Sequence, residues 1–333
     1  MSRAPRVRRV PPDFTFELPD GTPLGFQHLF PGTFRMGQRG KNPAEEPVHL
    51  VRITHEFFLG QFPVTQAQFA TWTGSRAYKT WLAGPGKALG ELRHANGIAG
   101  ADKASHPAET LSWHAATAFC DWLTAECAAQ FPAGISAARL PTEAQWEYAC
   151  RAGTETQYHT GDSEAALAAA GWYDANSEHT THPVGLKTPN AWGLYDLHGN
   201  VDEWCRDAWD EHSYKKRPSG VSDPEIIAPE NLQRMVRSAS WIYSAGYCRA
   251  ASRYGSTPGN RRWHTGLRVC LAPGPGQAQP SGATSPDKRA EAPPATGDGR
   301  RGTSLKSDGA GGAAAGAPTR RDHPSSRGRK KPA

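Results

Sequence analysis

The stretch "NAWGLYDLHGNVDEW" at residues 190–204 contains aromatic, apolar and acidic residues together with two glycines and two tryptophans. Such glycine punctuation of short apolar runs predicts tight turns rather than long parallel strands. The surrounding chain has the same character, because all 11 tryptophans of the sequence fall between Phe30 and Leu271. We therefore predict an irregular α+β domain of about 240 residues, in which loops join short strands.

Three segments around this stretch carry helix signals. Thr65 with Gln68, and Thr142 with Gln145, fit a capping box, in which the two side chains satisfy unpaired backbone N–H groups at a helix start. Ser112 precedes a segment whose apolar residues repeat along one helical face. Trp146 lies on the second capped helix, so we expect it in the core.

The C-terminal part of the chain differs in composition. Residues 273–333 contain no Phe, Trp, Tyr, Ile, Val or Met, and they hold 11 basic and 5 acidic residues, which accounts for the whole formal charge of +6. Such a segment cannot bury enough apolar surface to offset its chain entropy. We predict a disordered basic tail after a domain at residues 28–272 and an N-terminal extension at residues 1–27. The tail either keeps the protein in solution or contacts nucleic acid or an anionic surface.

Targeting and redox signals are weak. The N-terminus has a basic start without an apolar segment after it, and no run of 18 apolar residues occurs in the sequence. The prediction is a cytoplasmic protein without a transmembrane segment. The six cysteines contain no C-x-x-C pair that would indicate zinc.

Seven motifs together resemble one known family. They are "FPGTFRMG" (30–37), "PVHLVRI" (47–53), "FFLGQFPVTQAQF" (57–69), "LSWHAATAFCDWL" (111–123), "RLPTEAQWEYACRAG" (139–153), the stretch at 190–204 and "GLRVC" (266–270). Their order and spacing resemble the formylglycine-generating enzymes, also called sulfatase-modifying factor domains. The resemblance implies an elaborated C-type-lectin-like fold, with a small twisted antiparallel sheet, two or three helices and long loops.

The resemblance also implies a test for enzymatic activity. The named enzymes oxidise a cysteine of a sulfatase to formylglycine, using copper(I) held by two cysteines five residues apart. In this sequence the corresponding positions are Tyr243 and Cys248. A phenol is a hard ligand and does not replace a thiolate on copper(I). Copper is therefore expected only if the oxidase alternative holds, with Cys248 as the catalytic residue.

The cysteines have a structural interpretation within the same family. The resemblance makes Cys150 and Cys248 neighbours, and likewise Cys120 and Cys270, either as thiols or as disulfides according to the compartment. We favour these framework roles over catalysis.

One ion site is also implied by the resemblance. Calcium-binding relatives enclose the ion with oxygens at spacings that here correspond to Asp196, Gly199, Val201 and Glu203. Hard oxygen ligands that include two carboxylates suit calcium. The alternative is a glycine turn capped by the two acidic residues without metal. A second calcium loop of the family lacks its downstream aspartate here, so we predict at most one ion.

The residues between the framework positions of "SASWIYSAGYCRAASRYGSTPGN" (238–260) and beyond suit a binding surface. Tyr and Trp give contact area at low entropy cost, while Ser and Gly adapt to a partner. The layout resembles the variable proteins of diversity-generating retroelements; the alternative is a set of ordinary loop and core positions. The predicted ligand-binding residues are Ile242, Tyr243, Ser244, Gly246, Tyr247, Ser252, Tyr254, Ser256, Trp263 and His264.

Three functions from different classes follow. The favoured hypothesis is a noncatalytic module that binds an unknown protein or small molecule through residues 242–265. The second is a formylglycine-generating oxidase or a related oxygen-dependent enzyme. The third is an accessory domain of a regulatory system, tethered by its basic tail.

Overall fold

The computed structural model describes residues 10–91 and 103–274. The predicted basic tail lies outside the described residues from residue 275 onward, and so does the start of the predicted N-terminal extension. The helices are α1 (Gln66–Gly74), α2 (Arg76–Trp81), α3 (Trp113–Cys127), α4 (Glu143–Arg151), α5 (Glu164–Ala170) and α6 (Ser213–Lys216). The strands are β1 (Phe14–Glu17), β2 (Pro23–Leu29), β3 (Gly32–Met36), β4 (His49–Ile53), β5 (Phe57–Gly60), β6 (Ala137–Arg139), β7 (Asp202–Ala208), β8 (Val221–Ser222), β9 (Arg234–Arg237), β10 (Tyr254–Ser256), β11 (Thr265–Gly266) and β12 (Cys270–Ala272).

The largest sheet has five strands in the order β1-β2-β5-β12-β6, and all of its pairings are antiparallel. The strand nearest the described C-terminus, β12, lies between β5 and β6. Its Leu271 shares one buried cluster with Phe26 of β2 and with Phe119 of α3. The two ends of the described chain are therefore held in the same sheet by a common core.

Two smaller sheets complete the fold. One has the order β10-β9-β7-β11 and the other β3-β4-β8, and the pairings β7·β11 and β4·β8 are parallel. The small antiparallel sheet that the resemblance implied is confirmed, and these two sheets with parallel pairs accompany it. Strands β8 and β11 have two residues each, which is too short to leave a periodic signal in the sequence.

The three predicted helices are confirmed. Thr65 and Thr142 form capping boxes at the starts of α1 and α4, and Ser112 accepts a hydrogen bond from the Ala115 N–H at the start of α3. The prediction that Trp146 lies in the core is also confirmed, because its side chain is fully buried. The remaining helices α2, α5 and α6 have four to seven residues, and they were not predicted from the sequence.

The predicted boundary between residues 27 and 28 is wrong, because it cuts through β2. Residues 14–17 and 23–29 form a hairpin at the edge of the large sheet, and Phe16, Leu18 and Phe26 are buried. The short alternation of "FTFE" had been assigned to an extension, although alternation of this kind is a strand signal. The folded unit therefore includes the chain from at least residue 13, whose N–H donates to the Phe26 carbonyl.

A buried ionic cluster lies behind β9. Arg237 donates to Glu147 at 2.6 Å, and Arg253 donates from two nitrogens to the carboxylate of Glu143, one of them at 3.0 Å. All four side chains are buried. The surrounding guanidinium groups lower the pKa of Glu143 and of Glu147 against the effect of burial. This cluster fixes α4 against β9, and the candidate site begins where β9 ends.

Within the described residues, no helix combines the length and the apolar character that a membrane crossing requires.

Candidate functional site

The segment that follows β9 leaves the sheet through a strained turn. Ser238 and Ala239 have φ values of 79° and 85°, in the left-handed region that residues with a Cβ rarely adopt. Such a conformation costs of the order of 1–3 kcal/mol per residue and persists where the surrounding structure imposes it. Here the Ser238 hydroxyl contacts both the N–H and the carbonyl of Gly199, at 3.2 and 3.4 Å. The turn directs the chain into a short 3-10 helix at Ala245–Tyr247.

An aromatic surface lies around this 3-10 helix. It consists of Ile242, Tyr243, Tyr247 and Trp263, and the side chains of Tyr247 and Trp263 are 62% and 56% exposed. The ring centroids of Tyr243 and Tyr247 are 5.8 Å apart. The Trp263 ring packs edge-on against the buried Trp241 at 4.9 Å, which holds one of the exposed rings in place. Ser244 and Gly246 are exposed between these rings.

A polar centre lies beneath the aromatic surface. The buried carboxylate of Asp202 accepts from His264 Nδ1 at 2.8 Å and from the Tyr254 hydroxyl. The Tyr243 ring stands edge-on to the His264 ring, with 5.4 Å between the ring centroids. With Nδ1 donating, a neutral His264 offers Nε2 as an acceptor, and Nε2 has no hydrogen-bond partner among the described residues.

Burial keeps the phenols of this centre neutral. It raises the pKa of Tyr243 and raises that of Tyr254 further, and the Asp202 charge acts in the same direction. Both hydroxyls are therefore hydrogen-bond donors rather than anionic ligands. The second oxygen of Asp202, Oδ1, is buried without a partner among the described residues, and so is Trp241 Nε1. Buried polar groups of this kind are normally satisfied, so the centre has unused hydrogen-bonding capacity.

The ten predicted ligand-binding residues do not form one exposed surface. Ser256 and His264 are buried, while Ser252 and Tyr254 are half-buried. Ser256 accepts from Asn260 at 3.0 Å, and Tyr254 packs against the main core from β10. Tyr254 therefore belongs to the polar centre and is not an exposed anchor. Strand pairing of β10 with β9 turns these side chains inward, which the sequence did not reveal.

The two positions that the resemblance assigns to copper do not provide a thiolate pair. Tyr243 and Cys248 pack in the same small cluster with Tyr158 and Tyr173. The Cys248 thiol is buried, and burial raises its pKa well above the usual range. The Cys248 thiol contacts the Ser244 carbonyl oxygen at 3.9 Å. One buried thiol beside a neutral phenol does not fit the two soft ligands that copper(I) requires.

The six cysteines of the chain are all described, and all are free thiols in buried positions. Cys150 and Cys248 are separated by His198, whose Nε2 is 3.6 Å from Cys150 Sγ and whose Nδ1 is 2.8 Å from the Cys248 carbonyl. Cys120 and Cys270 belong to two different buried clusters, and burial raises the pKa of both. These thiols fill core positions and are unreactive in that state.

The predicted calcium loop is present as a tight turn. Asp196 has a φ of 57°, and Gly199 at 125° allows no side chain, because a Cβ there would meet the Trp172 carbonyl oxygen at 2.1 Å. The Glu203 carboxylate is bound by Arg268 and by Trp146 Nε1, at 2.7 Å in each case. Asp196 receives the Gly185 N–H at 2.8 Å through Oδ2, while its Oδ1 is buried without a partner among the described residues.

The calcium ligand set therefore fits only in part. Burial raises the pKa of Asp196 to about 6, as expected for a carboxylate that lacks a cation. Glu203, in contrast, is already neutralised by a guanidinium. A calcium ion here would be held by Asp196 and nearby carbonyls, or it would have to share Glu203 with Arg268. In the described residues, no group of three or more His, Cys, Asp or Glu side chains is arranged to hold a metal.

Asp202, the central acceptor of the site, was not predicted from the sequence. Asp202 and Glu203 are neighbours in β7, and successive side chains of a strand point to opposite faces. Glu203 faces Arg268, whereas Asp202 faces His264 and Tyr254. Two adjacent carboxylates in a strand indicate that each face of the strand carries a polar partner. The sequence interpretation had placed both residues in one loop, so this signal was not used.

Similar proteins support the architecture. A 29% identical relative, the formylglycine-generating enzyme of Thermomonospora curvata, aligns with 79% of this chain and 99% of its own length. The solved structure of Treponema denticola variable protein 1 is 25% identical, with a TM-score of 0.62 over 79% of this chain and all of that one. PvdO from Pseudomonas aeruginosa is also 25% identical, with a TM-score of 0.58 over 78% of this chain and 98% of that one.

These similarities confirm the mixed α+β, C-type-lectin-like fold, with curled sheets and few helices. The model of the sulfatase-modifying factor enzyme 1-like domain matches residues 24–273. The matched region contains the aromatic surface, the polar centre and the turn at Asp196. This chain belongs to the sulfatase-modifying factor family of formylglycine-generating enzyme-like domains.

Proposed function

We propose that this family member is a ligand-binding module whose site is the aromatic surface over the Asp202 centre. The observation that carries the proposal is the pair Tyr243 and Cys248. At the two positions where the oxidases hold copper, this chain has a neutral phenol and one buried thiol of raised pKa.

The chemistry of the surface supports binding. Exposed aromatic side chains are the residues that most often anchor an interface, and Tyr247 and Trp263 are exposed here together with Ser244 and Gly246. Beneath them, Asp202 Oδ1 supplies an unused acceptor. The similarity to Treponema denticola variable protein 1 extends over the whole of that protein, and it is consistent with a binding role.

The oxidase remains the second candidate, because a relative named formylglycine-generating enzyme is similar over 99% of its length. In this chain the oxidase would have to use Cys248 alone. A copper(I) titration followed by an assay with a peptide that carries the sulfatase cysteine motif separates the two functions.

If the protein is a binding module, we expect the wild type to leave the peptide cysteine unchanged and to bind no stoichiometric copper(I). Tyr243→Cys supplies a second thiol and is the matched gain-of-site variant, while Cys248→Ser removes the first thiol. Conversion of the peptide cysteine to an aldehyde by the wild type, abolished by Cys248→Ser, would establish the oxidase and overturn the proposal.

A further inference from the structure

A basic cavity lies at the end of β3, and none of its lining residues belongs to the aromatic surface. Its volume is about 250 Å³, and its lining includes Arg35, Gln38, Arg39, Arg151 and Glu155. Pockets for drug-sized ligands span about 300–1,000 Å³, so this space suits a small group rather than a whole large ligand. The lining carries three guanidinium groups and one carboxylate, so the charge of the cavity is positive.

The three arginines have different roles. Arg151 is buried and satisfied, since it pairs with Glu147 at 2.8 Å and donates to the Gly37 carbonyl at 3.0 Å. It therefore forms a fixed wall. Arg35 and Arg39 are exposed, and neither has an ion pair or a side-chain hydrogen bond with another described residue. Glu155 is exposed too and forms no ion pair within the described part of the chain. The donors of Arg35 and Arg39 are thus available to a ligand.

We propose that this cavity binds a phosphate-class oxyanion through Arg35 and Arg39. A guanidinium offers paired N–H donors that match the oxygens of a tetrahedral dianion, and such charge-assisted bonds are the stronger ones in proteins. Two of them facing one small cavity provide up to two bidentate contacts. The inference goes beyond the proposed binding surface and does not depend on it, because the cavity has its own lining residues.

The cavity is nevertheless linked to the 3-10 helix of the aromatic surface. Gln38, which lines the cavity, accepts from Arg249 Nη1 at 2.8 Å, and Arg249 Nε donates to the Gly246 carbonyl at 2.7 Å. Arg249 is held in turn by Glu45 at 2.6 Å. Gln38 is therefore two hydrogen bonds away from Gly246, which precedes Tyr247, and an anion that contacted Gln38 would be three away.

Isothermal titration with inorganic phosphate at constant ionic strength tests the inference on the full chain. The double variant Arg35→Gln with Arg39→Gln is expected to lose at least about tenfold in affinity, because charged hydrogen bonds are removed. Arg76→Gln, an exposed arginine on α2 outside the cavity lining, removes one positive charge and serves as the control. Glu155→Gln should tighten binding, because it removes the cavity's carboxylate.

Two probes distinguish the source of the anion. Inorganic phosphate represents a free ion, and O-phosphoserine represents a phosphorylated side chain. Saturable binding of either probe supports the site, and the probe that binds more tightly identifies the class of its natural ligand. The melting temperature of each variant, which should stay at the wild-type value, verifies folding. The inference is overturned if the wild type shows no saturable phosphate binding, or if Arg76→Gln weakens it as much as the double variant.

Discussion

Arg268 clamps Glu203 through Nε and Nη2, with N–O distances between 2.7 and 3.1 Å. The same guanidinium donates to the carbonyls of Gly60, Gln61 and Tyr195. This buried pair is fully hydrogen-bonded, which is the condition under which a buried ion pair is tolerated. It joins the end of β5 to β7, and it occupies the carboxylate that the sequence had assigned to calcium.

Removal of the Trp146 ring should destabilise the fold strongly. Trp146 is fully buried, and its Nε1 donates to Glu203 at 2.7 Å. Trp146→Ala is expected to cost on the order of 3–5 kcal/mol of unfolding free energy, as large-to-small core changes do. Urea denaturation measures this, with Trp263→Ala as the exposed control. A loss below about 1 kcal/mol for Trp146→Ala would contradict its core position.

Calcium, if held by Asp196, should stabilise the turn that contains it. The buried Oδ1 of Asp196 has no partner among the described residues, so an ion there supplies missing contacts. We propose one calcium ion and expect a chelator to lower the melting temperature of the wild type. Asp196→Asn should abolish the response to chelator and to added calcium.

Glu203→Gln is a poor test of that ion. It breaks the bond with Arg268 and destabilises the fold with or without calcium. The diagnostic quantity is the calcium-dependent shift in melting temperature. If the wild type shows no such shift, the turn at Asp196 does not bind calcium.

The unfolding free energy should depend on pH through Asp207. Burial, aided by the Glu143 charge, raises the pKa of Asp207 to about 7. In an unfolded chain that pKa is about 3.9, so between these values the folded protein holds a proton that the unfolded chain has lost. This contribution is fully present below about pH 4 and is lost as the pH rises through 7.

Urea denaturation between pH 5 and 8 checks the sign. The slope from one such group is at most about 1.4 kcal/mol per pH unit. Asp207→Asn should flatten the decline, although it also disturbs the bonds from the Glu143 and Ile226 N–H groups. Glu143 and Glu147 have lowered pKa values, so their contribution to the unfolding free energy changes with pH in the opposite direction, and it does so at lower pH. The informative quantity is therefore the difference in unfolding free energy between Asp207→Asn and the wild type at each pH. Parallel curves would contradict the assignment.

Exposed aromatic residues should anchor ligands of this protein. Peptides selected from a displayed library on the wild type provide a defined probe. Tyr247→Ala should weaken the selected peptides by roughly thirtyfold, since an anchor contributes about 2 kcal/mol. Ile227→Ala, at a side chain 84% exposed elsewhere on the chain, is the matched control. Peptides that bind both variants as well as the wild type would show that the aromatic surface is not the site.

Much of the fold could be predicted because its signals are local. The capping boxes at Thr65 and Thr142 mark helix starts through contacts within four residues. The family resemblance supplied the rest of the architecture. The hairpin of β1 and β2 was missed because four residues of alternation are a weak signal until β5 pairs with β2 and covers it.

The candidate site depended on longer-range contacts. Tyr254 was predicted to be a ligand-binding residue, whereas pairing of β10 with β9 directs its hydroxyl to Asp202, 52 residues away in the chain. Cys150 and Cys248 were expected to be neighbours, and His198 stands between them. In both cases a residue from a distant segment decided the contact.

The sequence alone determined family membership and the capped helices, since these depend on residue identity and local spacing. Tertiary structure decided which carboxylate serves which partner. Asp202 and Glu203 are adjacent in the sequence, but the pleat of β7 sends one to His264 and the other to Arg268. The packing of β11 and its neighbours against β7 brings a histidine to one face of that strand and an arginine to the other. These partners are 62 and 65 residues away in the chain, so local sequence spacing does not reveal them.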